Sequence, residues 1–441
     1  MSQKIISTEE LHSIFLSCGQ KVCTDTRKIE KGALFFALKG ENFDGNKYAG
    51  KAIEEGCGFA VIDNPKEAIP EKTLLVNDVL KSLQDLANFH RKKFTHPVIA
   101  ITGSNGKTTT KELIKAVLSK KYSTLATVGN LNNHIGVPLT LLSLTKEHEI
   151  AIIEMGANHQ SEIKALCEIA EPDYGLITNI GKAHLEGFGG FDGVKKGKGE
   201  LYDYLRGKKT EAFVNSDDPI LHDMAVNNDK ISYGTTKLYD VVGKFGDSTG
   251  MIEFKWKTRY TATALASAPF IKTNLVGKYN LNNLLCAATV GNYFHVEEEK
   301  INEALSQYVP ENNRSQLFNS DNNKLILDMY NANPSSMLAA IENFAGMKEE
   351  NKLLILGDML ELGTESAKEH SEIIDLLKKK NLNDCILVGP EFYSYSSSSG
   401  FNHFKNVSEA AAHLKQHPVK NKIILLKGSR GIKLEELLPA L

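Results

Sequence analysis

Short apolar runs and helical stretches alternate along most of the chain, and that rhythm predicts where its sheets lie. In residues 1–94, Ala33-Leu34-Phe35-Phe36-Ala37-Leu38 and Gly58-Phe59-Ala60-Val61-Ile62 are strand-like, and a helical stretch runs from Asp78 to Lys93. These predict a small α/β domain. Phe94-Thr95-His96-Pro97 then ends the helix, because proline disfavours helical backbone in the residue before it. Beyond this boundary, strand-like runs at 149–154, 174–178 and 211–214 alternate with helical patterns at 106–119, 159–169 and 192–205. That is the rhythm of a doubly wound parallel sheet covered by helices. Residues 231–275 carry alternating segments such as Met251-Ile252-Glu253-Phe254-Lys255-Trp256, which predict antiparallel strands at the edge of the same domain. After Val309-Pro310-Glu311-Asn312-Asn313 the rhythm restarts, with strands at 324–328, 352–356, 384–388 and 422–426 and helices near 335–345, 366–380 and 407–415. The serine-rich run Ser394 to Gly400 predicts a flexible surface loop with no legible chemistry. The expected fold is α/β with three domains, at 1–94, 95–310 and 311–441, the last of them Rossmann-like.

Composition narrows the partners. At 441 residues the chain exceeds one ordinary core, and a prior of about 150 residues per domain agrees with three. A formal net charge of −2 gives no basic footprint, so nucleic acid is a poor partner. Cys18, Cys23, Cys57, Cys167, Cys286 and Cys385 form no Cys-x-x-Cys pair, which argues for reduced thiols rather than a disulfide scaffold or zinc ribbon. The N-terminus has no charged-then-apolar signal, and no apolar run approaches the ~20 residues of a membrane span. The expectation is a soluble, cytoplasmic monomer without a membrane partner.

Residues 98–112, Val-Ile-Ala-Ile-Thr-Gly-Ser-Asn-Gly-Lys-Thr-Thr-Thr-Lys-Glu, lead an apolar strand into a Gly-Lys-Thr turn and a helix start. This sequence suits a nucleotide triphosphate. Gly103 and Gly106 let backbone N–H groups converge on phosphate oxygens, Lys107 can offset terminal phosphate charge, and the Thr108 hydroxyl can ligate Mg²⁺. The usual pattern has glycine five residues before Gly106, where this chain has Ile101, so the loop is a shortened variant beginning at Gly103. Glu154 ends the run Ile150-Ala151-Ile152-Ile153-Glu154; at the carboxyl edge of a parallel sheet it becomes a Mg²⁺ ligand candidate. His184, in Thr178-Asn179-Ile180-Gly181-Lys182-Ala183-His184, would open onto the same edge, although a lone histidine is usually structural. By spacing alone, Lys198 in Lys195-Lys196-Gly197-Lys198 belongs to a solvated lysine face. Asp217 and Asp218 belong to a turn after a strand.

Taken together, several ordered segments resemble the Mur ligases of bacterial peptidoglycan assembly. They are Thr24-Asp25-Thr26-Arg27; Phe36-Ala37-Leu38-Lys39-Gly40 with Phe43-Asp44-Gly45; Gly103 to Thr109; Gly129-Asn130-Leu131-Asn132-Asn133 to Pro138; Glu154 to Asn158; and Asn179 through Gly187. To these are added Lys198-Gly199-Glu200, Tyr330-Asn331-Ala332-Asn333-Pro334, Leu356-Gly357-Asp358-Met359-Leu360-Glu361-Leu362-Gly363 and Lys427-Gly428-Ser429-Arg430. The likeness covers all three domains and lies nearest the member that joins D-alanyl-D-alanine to a UDP-N-acetylmuramoyl-tripeptide. The member adding the third amino acid often carries Asp-Asn-Pro-Arg in its C-terminal domain, which this chain lacks; Asp63-Asn64-Pro65-Lys66 is similar but lies in the first domain.

The resemblance implies an ATP-dependent amide ligase whose N-terminal domain holds the UDP-sugar, whose central domain holds ATP and whose C-terminal domain closes over both. It implies ATP contacts from Gly103, Ser104, Asn105, Gly106, Lys107, Thr108, Thr109, Asn283, Arg314 and Asp328, with Asn283 on the adenine. Substrate contacts are implied for Thr26, Arg27, Lys39, Asn132, Asn133, Asn331 and Asn333. Thr108, Glu154, His184 and Lys198 would serve two Mg²⁺ ions, Lys198 as a carbamate, and Lys107, His184 and Lys198 would be the catalytic set. An ammonium near Mg²⁺ repels it, whereas a carbamate offers an anionic oxygen. Tyr279 stands where relatives often have histidine. Two rivals stay open at this point: another Mur-type or folylpolyglutamate-synthase-like ligase, and a non-catalytic ATP-binding relative.

Overall fold

The computed structural model describes residues 5–236, 238–246, 250–311 and 313–441, leaving aside the side chains of 262–264. Asn312 of the expected boundary segment, and 237 and 247–249 of the irregular stretch, lie outside the described residues. The chain divides into two compact units, one of Met1–Ile101, Tyr122–Ala157 and Ser161–Gly175, the other of Thr102–Lys121, Asn158–Gln160 and Leu176–Leu441.

In the first unit, four parallel strands follow the order Val22–Cys23, Leu34–Phe36, Phe59–Ile62, Thr73–Leu75. Leu34, Phe35 and Phe36 are all buried, as expected of a parallel strand covered on both faces. Helix Thr8–Ser17 starts at a capping box between Ser7 and Glu10, and helix Val79–Arg91 at an Asp78 side chain that accepts from the Lys81 N–H. The second helix buries Val79, Leu83, Leu86, Ala87 and His90, spaced at helical period on one face.

A nine-stranded sheet has the order 271–276, 251–258, 241–245, 230–234, 212–215, 174–177, 98–102, 150–154, 124–126. Val98–Thr102 is flanked by Ile150–Glu154 on one side and Tyr174–Ile177 on the other, so the chain order reverses at this strand. In doubly wound sheets a ligand crevice opens at such a reversal, outside the carboxyl ends of the strands. The stretch expected to be antiparallel is only partly so. Val241–Phe245, Met251–Thr258 and Ile271–Val276 form an antiparallel edge, but Lys230–Gly234 runs parallel to both its neighbours. Helix Asn280–Tyr293 is buried around most of its circumference.

The C-terminal six-stranded sheet has the order 316–319, 324–328, 423–427, 352–357, 385–388, 402–404; only its first pair is antiparallel. Alternate residues of its strands feed two cores, Ile326, Leu354 and Leu356 on one face, Leu325, Leu327, Leu353 and Ile355 on the other. Helices Pro334–Ala345 and Ser366–Lys379 cover the first face and Val407–Gln416 the second. The serine-rich run is a series of turns in which Ser399 is buried beside His403. Among the described residues the six cysteines form no disulfide, and all are buried. Among the described residues no helix is long and apolar enough to cross a membrane.

Candidate active site

The strand Val98–Thr102, buried throughout, delivers the chain into the Gly103–Gly106 turn, and helix Lys107–Leu118 leaves it. Gly103 (φ +136°) and Gly106 (φ +78°) take backbone conformations that L side chains rarely adopt. A methyl on Gly103 would lie 2.1 Å from Thr178 Oγ1, so glycine is also required by space. The segment after strand Tyr174–Ile177 staples the turn. Ser104 N–H donates to Asn179 O at 3.0 Å, Asn105 N–H donates to Asn179 Oδ1 at 3.0 Å, and Thr178 Oγ1 donates to Asn105 O at 2.6 Å. Ser104 Oγ both donates to Gly181 O and accepts from Gly181 N–H. Lys107 Nζ folds back on the turn and donates to Gly103 O at 2.8 Å. Thr108 is buried in the first helical turn.

Asn283 backs this turn. Its Oδ1 accepts from Thr110 Oγ1 at 3.1 Å and its Nδ2 donates to Asn280 Oδ1 at 2.7 Å, and it packs against Gly106. The Tyr279 hydroxyl pairs with Ser315 Oγ at 2.8 Å. The C-terminal segment reaches the same turn, since Asn333 Nδ2 donates to Asn105 Oδ1 at 2.7 Å. Residues 181–184 meet further C-terminal side chains. Lys182 N–H donates to Ser335 Oγ at 2.9 Å, Lys182 Nζ pairs with Glu369 at 2.5 Å, and His184 Nδ1 stands against the Glu361 carboxylate. That contact holds the Glu361 carboxyl below its ordinary range. Nearby, the Arg314 guanidinium stacks on the Tyr330 ring at 3.5 Å, Asp328 pairs with Lys427 at 2.6 Å, and Asn331 is exposed, its side chain accepting from Ala332 N–H.

The structure corrects the spacing-based reading of Lys198 as part of a solvated face. It is 1% exposed, on helix Phe191–Lys208, aligned with Val194, Leu201 and Leu205 on the buried stripe. Its ammonium lies 5.0 Å from the centre of the Phe188 ring. On the same helix Lys196 is exposed and Lys195 half-buried.

The first unit holds the other expected residues. Glu154 is 1% exposed, and its Oε1 accepts from Asn132 Nδ2 at 2.8 Å. Asn133 Oδ1 accepts the N–H groups of Ile135 and Gly136 where helix Gly136–Leu142 begins. Arg27 grips Asp25 through two nitrogens, which holds the Asp25 carboxyl well below the usual range. Thr26, between them, is half-buried. Lys39 pairs with Asp63 at 2.7 Å, a contact that raises the ammonium's pKa, and the wholly buried Asn46 holds Asp63 from the other side.

Among the described residues no group of three or more His, Cys, Asp or Glu side chains assembles to hold a metal. A threonine hydroxyl in the first turn of the phosphate helix and a single imidazole fit Mg²⁺ that arrives with phosphate oxygens, not an ion caged by protein. Sequence reasoning missed the Thr178–Gly181 staples, the Asn105–Asn333 bond and Glu361. The signal for Glu361 was its place in the segment Gly357 to Gly363, to which no chemistry had been given.

A phosphate turn at the reversal point of a doubly wound sheet defines the class, an α/β nucleotide-binding protein. The particular family follows from comparison. Residues 20–91 match the catalytic-domain model of the Mur ligase family, 101–291 the Mur ligase middle domain, and 313–430 the Mur ligase glutamate ligase domain. The chain is 35% identical over 432 residues to the UDP-N-acetylmuramoyl-tripeptide–D-alanyl-D-alanine ligase of Escherichia coli (strain K12), covering 95% of this chain and 93% of that one. Among solved structures, MurF of Acinetobacter baumannii superposes with a TM-score of 0.85 at 32% identity, covering 95% and 92% of the two chains. MurF of Thermotoga maritima, solved with ADP, gives 0.83 at 25% identity, covering 96% and 97%. The chain belongs to the Mur ligase family, has its three-domain α/β fold, and is an ATP-dependent ligase.

Proposed function

We propose that the chain joins D-alanyl-D-alanine to a UDP-N-acetylmuramoyl-tripeptide in cytoplasmic peptidoglycan precursor synthesis, with ATP cleaved to ADP and phosphate. The observation that carries this reading is the stapled Gly103–Gly106 turn, joined through Asn105 to Asn333, in a chain similar along nearly its whole length to ligases named for that reaction. The tripeptide carboxylate attacks the γ-phosphorus, one carboxylate oxygen becomes the bridge of an acyl phosphate, and ADP leaves. The dipeptide amine then attacks the acyl carbon. An amide forms, the C–O bond to phosphate breaks, and the ammonium proton is lost to solvent. No protein nucleophile is needed; catalysis rests on positioning and electrostatics.

In this account Gly103 to Thr109 bind the phosphates, and Lys107 exchanges its carbonyl partners for the γ-phosphate. Asn283 supports the turn and contacts adenine, while Arg314 and Asp328 bind ATP from the C-terminal side. Thr26, Arg27, Lys39, Asn132 and Asn133 hold the UDP-tripeptide, Asn331 and Asn333 the dipeptide side. Residues 1–94, 95–310 and 311–441 act as the substrate, ATP and closing domains of a monomer. Thr108, Glu154, His184 and a carbamylated Lys198 would hold two Mg²⁺ ions, which when bound offset charge on the transferring phosphoryl group. Lys198 is buried on its helix, and a carbamate there would offer the cations an anionic oxygen.

Phosphate release is the test. It should require ATP, UDP-N-acetylmuramoyl-tripeptide and D-alanyl-D-alanine together. Release with glutamate and a folate in their place would favour the folylpolyglutamate type, and ATP binding without release under any pairing would favour a non-catalytic relative.

A further inference from the structure

We infer that Arg430 binds the terminal carboxylate of the incoming dipeptide and makes the enzyme select a free acid at that end. This role rests on the proposed D-alanyl-D-alanine substrate. Strands Lys324–Asp328 and Ile423–Lys427 pair in parallel with Asp328 opposite Lys427, so the segments that follow them leave one sheet edge side by side. They gather three cations. Lys427 is buried and neutralised by Asp328 at 2.6 Å. Arg314 and Arg430 have no carboxylate within ion-pair distance among the described residues; each guanidinium instead lies over the Tyr330 ring, 3.5 Å and 5.6 Å from its centre. Two like charges on one ring repel each other, and an anion bound beside them relieves that repulsion. Arg314 serves ATP in the proposed reaction, which leaves Arg430 as the cation without a substrate anion.

The base of Arg430 is fixed. The preceding residue, Ser429, is buried; its N–H donates to Asp358 O at 3.1 Å, and its hydroxyl donates to Ala332 O at 3.2 Å and accepts from Leu360 N–H at 3.0 Å. The bond to Ala332 ties Arg430 to the segment 330–333, whose far end, Asn333, meets the phosphate turn through Asn105 at 2.7 Å. Beyond this anchored base the Arg430 side chain is exposed, and its planar fork matches the two oxygens of a carboxylate. Lengths agree as well. The three residues of chain from Asn333 to Tyr330 span at most about 11 Å, and an extended dipeptide separates its amine from its carboxylate by about 7 Å. A dipeptide whose amine meets the acyl phosphate at the phosphate turn therefore brings its carboxylate within reach of the long arginine side chain beside Tyr330.

Phosphate release by the full chain, with ATP, Mg²⁺ and UDP-N-acetylmuramoyl-tripeptide present, is compared for D-alanyl-D-alanine and its C-terminal amide, D-alanyl-D-alaninamide. In the wild type the amide should raise KM for the dipeptide about 10- to 100-fold, the usual worth of a hydrogen bond between charged groups. Arg430→Ala should raise KM for the free acid by a similar factor, leave KM for ATP and for the UDP-tripeptide near wild type, and lose the preference for acid over amide. Arg430→Lys, which keeps the charge without the fork, should keep part of that preference. Arg430 is exposed, so the thermal midpoint of both variants should stay close to wild type. An acid-over-amide preference as large in Arg430→Ala as in the wild type would overturn the inference, as would a wild type indifferent to the amide or a loss that falls on ATP instead. Calorimetric binding of the dipeptide to the chain loaded with a non-hydrolysable ATP analogue and UDP-N-acetylmuramoyl-tripeptide makes the same comparison without turnover. Acid-selective binding that depends on Arg430, with no phosphate release, would therefore overturn the ligase reading and leave the role of Arg430 standing.

Discussion

At the scale of single residues, Lys107 and Lys198 show how the same side chain serves opposite ends. Lys107 begins a helix and reaches back over a turn, donating to Gly103 O at 2.8 Å and Ser104 O at 3.3 Å, partners that in the proposed reaction it exchanges for phosphate. Lys107 is half-buried and lies outside the apolar core, so the alanine variant should stay folded by thermal melt. Its ADP release should nonetheless fall by a factor of about 100 or more, the usual consequence of deleting a donor aimed at developing charge. Near-normal rates would mean the phosphate assignment is wrong. Lys198 instead lies inside, and the sequence contained the reason: Val194, Lys198, Leu201 and Leu205 recur at helical spacing. Three lysines within four positions drew attention to charge and away from that period. The Glu361–His184 pair was not legible, because nothing local to either residue encodes a contact made across so much chain.

At the scale of elements, most strands and helices were readable because apolar period and punctuation agree locally. The helix closes at Arg91, six residues before Pro97, and β-branched Val98, Ile99 and Ile101 then begin the central strand. Helix Asn280–Tyr293 escaped notice since it is buried nearly all round, asparagines included, and lacks the contrast that marks an amphipathic helix. Lys230–Gly234 was misjudged in direction because alternation reports that one face is buried, not which way a neighbour runs. The helices Thr8–Ser17 and Val79–Arg91 also carry a pH dependence. His12 Nε2 lies 3.0 Å from His90 Nδ1, and His90 Nε2 lies 2.9 Å from Leu144 O, so the chain of bonds is satisfied with both imidazoles neutral. Burial lowers both pKa values from 6.5, with the His90 and Lys93 charges adding to the effect at His12. The unfolded chain therefore binds more protons just below 6.5, and stability present above that value is lost as pH falls. The thermal midpoint should drop between pH 7.5 and 5.5, and a His12→Gln, His90→Gln double variant should show a smaller drop. Equal drops in the two proteins would remove this pair from the account.

At the scale of the whole molecule, three substrates must meet, and reactive acyl phosphate must be kept from water. Closure is therefore expected about the segments near 94–97 and 310–313. Small-angle scattering should show compaction on adding an ATP analogue with UDP-N-acetylmuramoyl-tripeptide, and Asn333→Ala, which removes the bond to Asn105, should weaken it. No change in radius with both ligands present would count against closure. The central claim is that ATP activates the tripeptide's own carboxylate. Supplying that carboxylate labelled with ¹⁸O and collecting the released phosphate measures this directly. The account predicts one ¹⁸O atom transferred to phosphate for each amide formed, because the bridging oxygen leaves with it; phosphate free of label, alongside labelled amide product, would contradict it.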